Sequence, residues 1–469
     1  MFAHVTAWSD SSPACFAQTG GQAIELLLLT QTQCTQWLTG QSRQVNQWVA
    51  QQSFCAKPQT HCWLPNEQGQ LQQILVGVAD IDDVTALAFL PNQLKQHEYR
   101  LVNPLTHEQW VNLALGWGMA CYRFQINPTS ETPVSWPKLQ LTDAVLAEVL
   151  SLVEAIHWVR DLINQPANVM TPVALAQQAQ RLAKTYQAKC KVYSGRQLQR
   201  HQFPAICAVG QASDCPPHLI DLQWGDPKHP KITLVGKGVC FDTGGLNLKP
   251  GNSMRLMKKD MGGAAHALGL AKLIMQAQLP IRLRVLIPAV ENAIGSRAYR
   301  PGDILTLRNG TTVEIDNTDA EGRLILADAL SFASEEPVDL LIDFATLTGA
   351  ARVALGPDVP AMFTNNDTIA TQLSQCAEQV QDPMWRLPLV RQYQSMLQSD
   401  VADLVNSAAS SYAGAITAAL FLQHFIEKNT PWVHVDLMAW NTSQRPGHPV
   451  GGEAMTLRAM FQFLIIYSG

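Results

Sequence analysis

From residue 172 onward, short apolar runs alternate with longer stretches of helical period, and this alternation restricts the fold more than any other feature of the chain. The spacing predicts a helix over 173–186 and a strand over 191–193. Strands over 232–235 and 283–289 flank a helix over 263–277, and a strand over 340–343, a helix around 415–426 and a strand over 432–437 follow. Strands alternating with helices argue for an α/β domain whose central sheet is mostly parallel and covered by helices. In such sheets, sites form at the carboxyl ends of the strands.

At 469 residues the chain is too long for one ordinary core. Residues 1–140 are rich in Gln and Trp, and apolar runs at 24–29 and 74–78 read as strands with helical stretches between them, giving a smaller N-terminal α/β domain. The proline-rich segment 127–137 reads as a linker, and a helix is predicted over 143–163 until the two prolines of 164–172 break it. The expected division is therefore 1–140, a linking helix within 141–164, and a larger α/β domain over 165–469.

Composition narrows the function classes. The formal net charge is −5 and the pI about 6.2, and up to Asp143 six basic side chains face ten acidic ones. That balance speaks against a nucleic-acid or anionic-membrane surface. No apolar run reaches the roughly 18 residues of a membrane span, and the start MFAHVTAWSDSS lacks the pattern of a secretory signal. Ten cysteines are scattered singly with no CxxC pair, which reads as reduced thiols in a cytoplasmic setting.

The chemistry concentrates in three segments. In NTDAEGRL (317–324), Asp319, Glu321 and Arg323 recur at every second position. An extended segment would turn all three to one face, where the carboxylates could hold a metal ion and the arginine an anion; a solvated turn with an ion pair is the other reading. The apolar run 324–330 looks like the first turns of a buried helix. GKGVCFDTGGLNLKP (236–250) places Lys237, Asp242 and Lys249 among four glycines, which let backbone approach a ligand closely or simply build a turn. Asp260 precedes the Gly-Gly start of a helix that it could merely cap. His266 within that helix reads as structural, and no HExxH pairing supports a histidine-based zinc site. Together Asp242, Asp260, Asp319 and Glu321 are enough carboxylates for two divalent ions sharing bridging oxygens. Lys237 could join them only as a neutral amine, with its pKa depressed by nearby cations.

These motifs resemble those of the leucyl aminopeptidase, or cytosol aminopeptidase, family. NTDAEGRL matches the family's signature; VGKGVCFDTGG (235–245), LKP (248–250), KKDMGGAA (258–265), RAYRPGD (297–303) and ATLTGA (345–350) follow in the family's order. The resemblance covers roughly 160–469, and the N-terminal third is compatible with the family's smaller, variable α/β domain. It implies a metallopeptidase with two divalent ions per subunit, Mn2+ or Zn2+. Lys237, Asp242, Asp260 and Glu321 would be ligands of the tighter site, and Asp242, Asp319 and Glu321 those of the looser one. Lys249 would face the scissile carbonyl, Arg323 would hold a bicarbonate ion, and Met257 would line the pocket for the first side chain of the substrate.

The implied reaction removes the N-terminal residue, leucine or another apolar one, from peptides. An activated water attacks, Lys249 stabilises the oxyanion and bicarbonate assists proton transfer. The resemblance also implies a homo-hexamer, and, since some members bind DNA, an alternative reading as a DNA-binding regulator. A phosphatase and a catalytically dead scaffold are the other readings weighed. Departures occur: DTGG stands for the usual DSGG, LNLKP for ISIKP, YAGAITAA (412–419) for GGAITAA, and GGEAMTL (451–457) where a Gly-Arg-Pro-like sequence is usual. The first two spare the matched residues; the last two bear on side-chain preference.

Overall fold

The alternation beyond residue 172 builds a nine-stranded sheet in a computed structural model that describes residues 14–124 and 135–469. The chain start at 1–12 and residues 127–134 of the expected linker lie outside the described residues. Across the sheet the order is Trp385–Arg386, Ala361–Thr364, Trp432–Asp436, Leu340–Ala345, Lys231–Gly236, Arg282–Asn292, His218–Trp224 and Lys189–Ser194. The middle four strands run parallel, and antiparallel neighbours close both sides. Every residue of Lys231–Gly236 and Leu340–Ala345 is buried, as expected of parallel strands covered on both faces.

Helices supply those covers. On one face, the helix Gly262–Gln276 comes so close that a Cβ on Gly236 would meet Ala264 Cα at 2.6 Å. On the other, Val235, Leu286, Leu341 and Trp432 share a core cluster with Leu324, Ile325, Leu326 and Leu330 of the helix Glu321–Ser334. The short strand Gly238–Asp242 adds to the far end of Arg282–Asn292, pairing Asp242 with Asn292. This brings the first predicted carboxylate to the carboxyl end of the parallel strands.

The chain divides into two compact units, one of residues 158–442 and 451–469, the other of described residues up to 157 with 443–450. The division falls inside the helix Asp143–Asn164, and residues 443–450 group with the smaller unit. The smaller unit has a six-stranded sheet ordered Phe16–Gln18, Lys138–Leu141, Glu98–Leu101, Ile24–Leu29, Leu71–Gly77 and Thr60–Pro65, parallel except for its last pair. Among the described residues, no helix is long and apolar enough to cross a membrane.

Candidate active site

Six of the charged residues singled out in the sequence converge at the carboxyl ends of the central strands. Lys237 directly follows Lys231–Gly236; its backbone N–H donates to Phe344 O and its carbonyl accepts from Ala264 N, both at 2.9 Å. That pins its main chain between a strand end and a helix start. Its Nζ lies 2.8 Å from Asp260 Oδ2 and 3.0 Å from Glu321 Oε1, and donates to Thr346 O at 3.0 Å. Lys249 Nζ lies 2.8 Å from Asp242 Oδ2 and contacts Asp319 Oδ1. Lys237, Asp242, Asp260 and Glu321 are each no more than 3 % exposed, whereas the Asp319 side chain is 31 % exposed. Ligand oxygens of Asp242, Asp319 and Glu321 fall within 4.8 Å of one another.

The octapeptide is not an extended segment. Asn317–Ala320 forms a loop, and Glu321 begins the helix that was expected to start at Leu324. Two positions on a helix differ by roughly 200° of rotation, so Arg323 turns away from Glu321 instead of sharing its face. Gly322 leaves room for the Lys237 side chain in this turn, since a Cβ there would come within 2.5 Å of Lys237 Cε. Arg323 is buried, with its side chain 6.0 Å from the Phe421 ring and its Nε without a hydrogen-bond partner.

Asp260 does not cap the helix that follows. It sits in the tight turn Met257–Met261, and the Thr346 hydroxyl lies 2.7 Å from its Oδ1. Met257, half-buried, opens the same turn. His266 is structural: one ring nitrogen lies 2.6 Å from Gly262 O and the other accepts from Met455 N at 2.9 Å.

Electrostatically the cluster is crowded with like charge. Burial, then the neighbouring Asp242, pushes the Glu321 carboxyl up to about 8. Burial, then Asp260, pushes Asp242 up to about 6. Asp260 goes the other way: burial raises it, but Lys237 and Lys259 outweigh that and hold it below the usual carboxylate range. Burial opposes the Lys237 charge, yet Asp260, Glu321 and Asp242 more than offset it, so its pKa is raised. The depressed amine expected of a ligating lysine is therefore not a property of the protein groups alone; it needs cations beside it. Asp242 and Glu321, raised by burial and then by neighbouring carboxylates, with hard oxygen donors converging, fit divalent ions.

Several contributors were not singled out in the sequence. Asn292 Nδ2 donates to Asp242 Oδ1 at 2.8 Å and to Thr318 O at 3.0 Å. Tyr299 OH donates to Thr318 O at 2.7 Å. Asn247 and Thr318 exchange hydrogen bonds of 2.8 and 2.9 Å, tying the glycine-rich loop to the octapeptide. Tyr299 and Thr346 lie inside motifs quoted for the resemblance, so a motif could have pointed to them; Asn292 lies in none. Thr243, in place of the usual serine, still donates its hydroxyl to Asn292 O at 2.8 Å.

Comparison with known proteins adds independent observations. The model of the cytosol aminopeptidase family, catalytic domain, matches residues 157–461, and that of the M17 aminopeptidase N-terminal domain matches 24–136. A probable cytosol aminopeptidase of Syntrophotalea carbinolica is 41% identical over 378 residues, covering 77% of this chain and 76% of its own. Another, of Thermosynechococcus vestitus, is 41% identical over 353 residues, covering 73% and 71%. The crystal structure of cytosol aminopeptidase from Coxiella burnetii superposes with a TM-score of 0.94 at 47% identity, covering 97% of this chain and all of that one, 100%. The bottromycin maturation enzyme BotP in complex with Mn gives a TM-score of 0.86 at 32% identity over 95% of this chain and 99% of that chain.

Proposed function

Because the chain belongs to the cytosol aminopeptidase family, metal-dependent hydrolases of peptides, we propose that its carboxylate cluster is the catalytic centre of an aminopeptidase that removes leucine and other apolar residues from peptide N-termini. The observation that carries this reading is the convergence of buried Lys237, Asp242, Asp260 and Glu321 with the part-exposed Asp319 in one cluster. We assign Lys237, Asp242, Asp260 and Glu321 to one divalent ion, and Asp242, Asp319 and Glu321 to a second. Manganese and zinc both suit such donors. Two ions, when bound, supply Lewis acidity and acidify water enough for attack at neutral pH.

The protein's own groups divide the remaining work. Lys249, close to Asp242 and Asp319, carries the charge that stabilises the oxyanion developing on the scissile carbonyl. Met257, in the same turn as Asp260, lines the pocket for the first side chain. The buried Arg323 Nε suits an anion, and bicarbonate there would supply a proton acceptor. We further propose a cytoplasmic homo-hexamer. The DNA-binding alternative has no support in the net charge of −5.

Hydrolysis of Leu-p-nitroanilide by purified protein, with Mn2+ and with Zn2+, tests the assignment. Glu321→Ala is expected to abolish it and chelation of the wild type to silence it reversibly. Near wild-type activity in folded Glu321→Ala protein would overturn the metal assignment, and a preference for charged N-terminal residues in a panel of amino-acyl nitroanilides would overturn the apolar specificity.

A further inference from the structure

The strands that end at the carboxylate cluster begin at a second polar cavity. Its volume is about 680 Å³, and it lies at the amino ends of Lys231–Gly236 and Arg282–Asn292, where Lys231 and Arg282 line it. Such a volume is that of a small-molecule site.

Strand register loads one face here with cations. Lys189 pairs with Gln223, Gln223 with Arg284, and Arg282 with Lys231. Rung partners, and residues two apart on a strand, share a face, so Lys189, Arg284, Arg282 and Lys231 stand on one side. Two carboxylates answer them. Asp221 Oδ1 and Oδ2 accept from Arg284 at 3.1 and 2.9 Å, and Glu336 lies 2.5 Å from Lys231. Neither Lys189 nor Arg282 has a carboxylate at ion-pair distance among the described residues, although Arg282 lies within the field of Glu336. Arg284 and Lys231 are only 5 % and 7 % exposed. Each of those two is matched by its own carboxylate, so the positive charge open to an anion is that of Lys189, which is exposed, and Arg282, which is part-exposed. The excess is local, since the whole chain carries −5.

The wall is not uniformly charged. Trp224 and Tyr186, both partly buried, line the same cavity. Leu283, the rung partner of Trp224, lies next to Arg282 and Arg284 in sequence, so the indole and the guanidinium groups occupy opposite faces at the same strand ends. The cavity wraps that end and presents both.

We propose that this cavity binds a nucleotide, with its phosphates held by Lys189 and Arg282 and its base against Trp224 and Tyr186. Planar rings stack on such side chains, and phosphate oxygens favour arginine and lysine. No residue of the carboxylate cluster takes part, so this proposal stands or falls apart from the peptidase reading.

Calorimetric titration of the full-length protein with ATP, tripolyphosphate and adenosine tests it. ATP is expected to bind saturably at one site per chain and to weaken with added salt. Arg282→Ala and Lys189→Ala should each weaken it by about tenfold, leaving hydrolysis of Leu-p-nitroanilide without nucleotide unchanged. No heat with ATP up to about tenfold above an ordinary millimolar affinity, or binding equal in wild type and both variants, overturns the site. Tripolyphosphate binding as tightly as ATP, with adenosine inert, overturns the role of the aromatic pair.

Discussion

The Lys237 side chain lies directly over Gly322: a Cβ on that glycine would fall 2.5 Å from Lys237 Cε and 2.7 Å from its Nζ. A larger residue at 322 can therefore be seated only by moving the lysine. Helix propensity alone favours alanine over glycine by about 1 kcal/mol, so Gly322→Ala should fold. It should nevertheless displace the lysine from Asp260 and Glu321 and lower kcat by about 100-fold, the cost of roughly an ångström of misplacement. Circular dichroism with kcat on Leu-p-nitroanilide checks this, and a folded variant with an undiminished rate would refute it.

Thr346 orients Asp260 through its hydroxyl, 2.7 Å from Oδ1. Thr346→Val keeps shape and removes that contact. Partners behind a metal ligand are typically worth about 10–100-fold in metal affinity, so the variant should need that much more Mn2+ for half-maximal activity while reaching a similar plateau. Metal titration of activity gives the answer; a changed plateau at unchanged affinity would point to a different role.

Arg323 stands apart from the carboxylates, buried beside Phe421 with its Nε unpartnered. Arg323→Ala should reduce the rate by about 10²-fold or less, the lower part of what general acid–base assistance contributes, and leave metal content intact. Added bicarbonate should stimulate the wild type more than the variant. Loss of bound metal from Arg323→Ala, measured by elemental analysis, would show that the residue serves the metal shell instead.

Beneath the site, His434 Nδ1 lies 2.6 Å from Asp343 Oδ1, and Trp432 Nε1 donates to Asp343 Oδ2 at 2.7 Å. Burial disfavours the imidazolium, but Asp343 more than offsets it, so the His434 pKa is raised. A group with a raised folded pKa adds stability that is complete below its unfolded value, about 6.5, and is lost as pH rises through the folded value. Asp343→Asn should therefore cost more stability in urea at about pH 5.5 than at about pH 8.5. An equal cost at both pH values would mean the histidine is neutral throughout.

Much of the larger unit was legible because its strands are buried on both faces and its helices keep their period. The strand expected over 340–343 is Leu340–Ala345, and the helix over 263–277 is Gly262–Gln276. Where extent was misjudged, a partner explains it. The strand expected over 283–289 runs on to Asn292 because Gly238–Asp242 pairs with its polar end, which no apolar pattern marks. Lys189 and Arg282 are unremarkable in sequence; only the register of neighbouring strands puts them on one face.

The site divides in the same way. Sequence alone determined the inventory: acids at the edges of strands and helices, glycines where backbone must come close, and a motif order that points to one family. Those are local properties, set by propensity and period over a few residues. Tertiary structure decided which groups meet. Lys237 Nζ reaches Thr346 O across 109 positions, and Asp242 meets Asn292 across 50. It also decided that Glu321 and Arg323, neighbours in an octapeptide, part company, because the helix carrying them begins at Glu321 and its rotation, not strand alternation, directs each side chain.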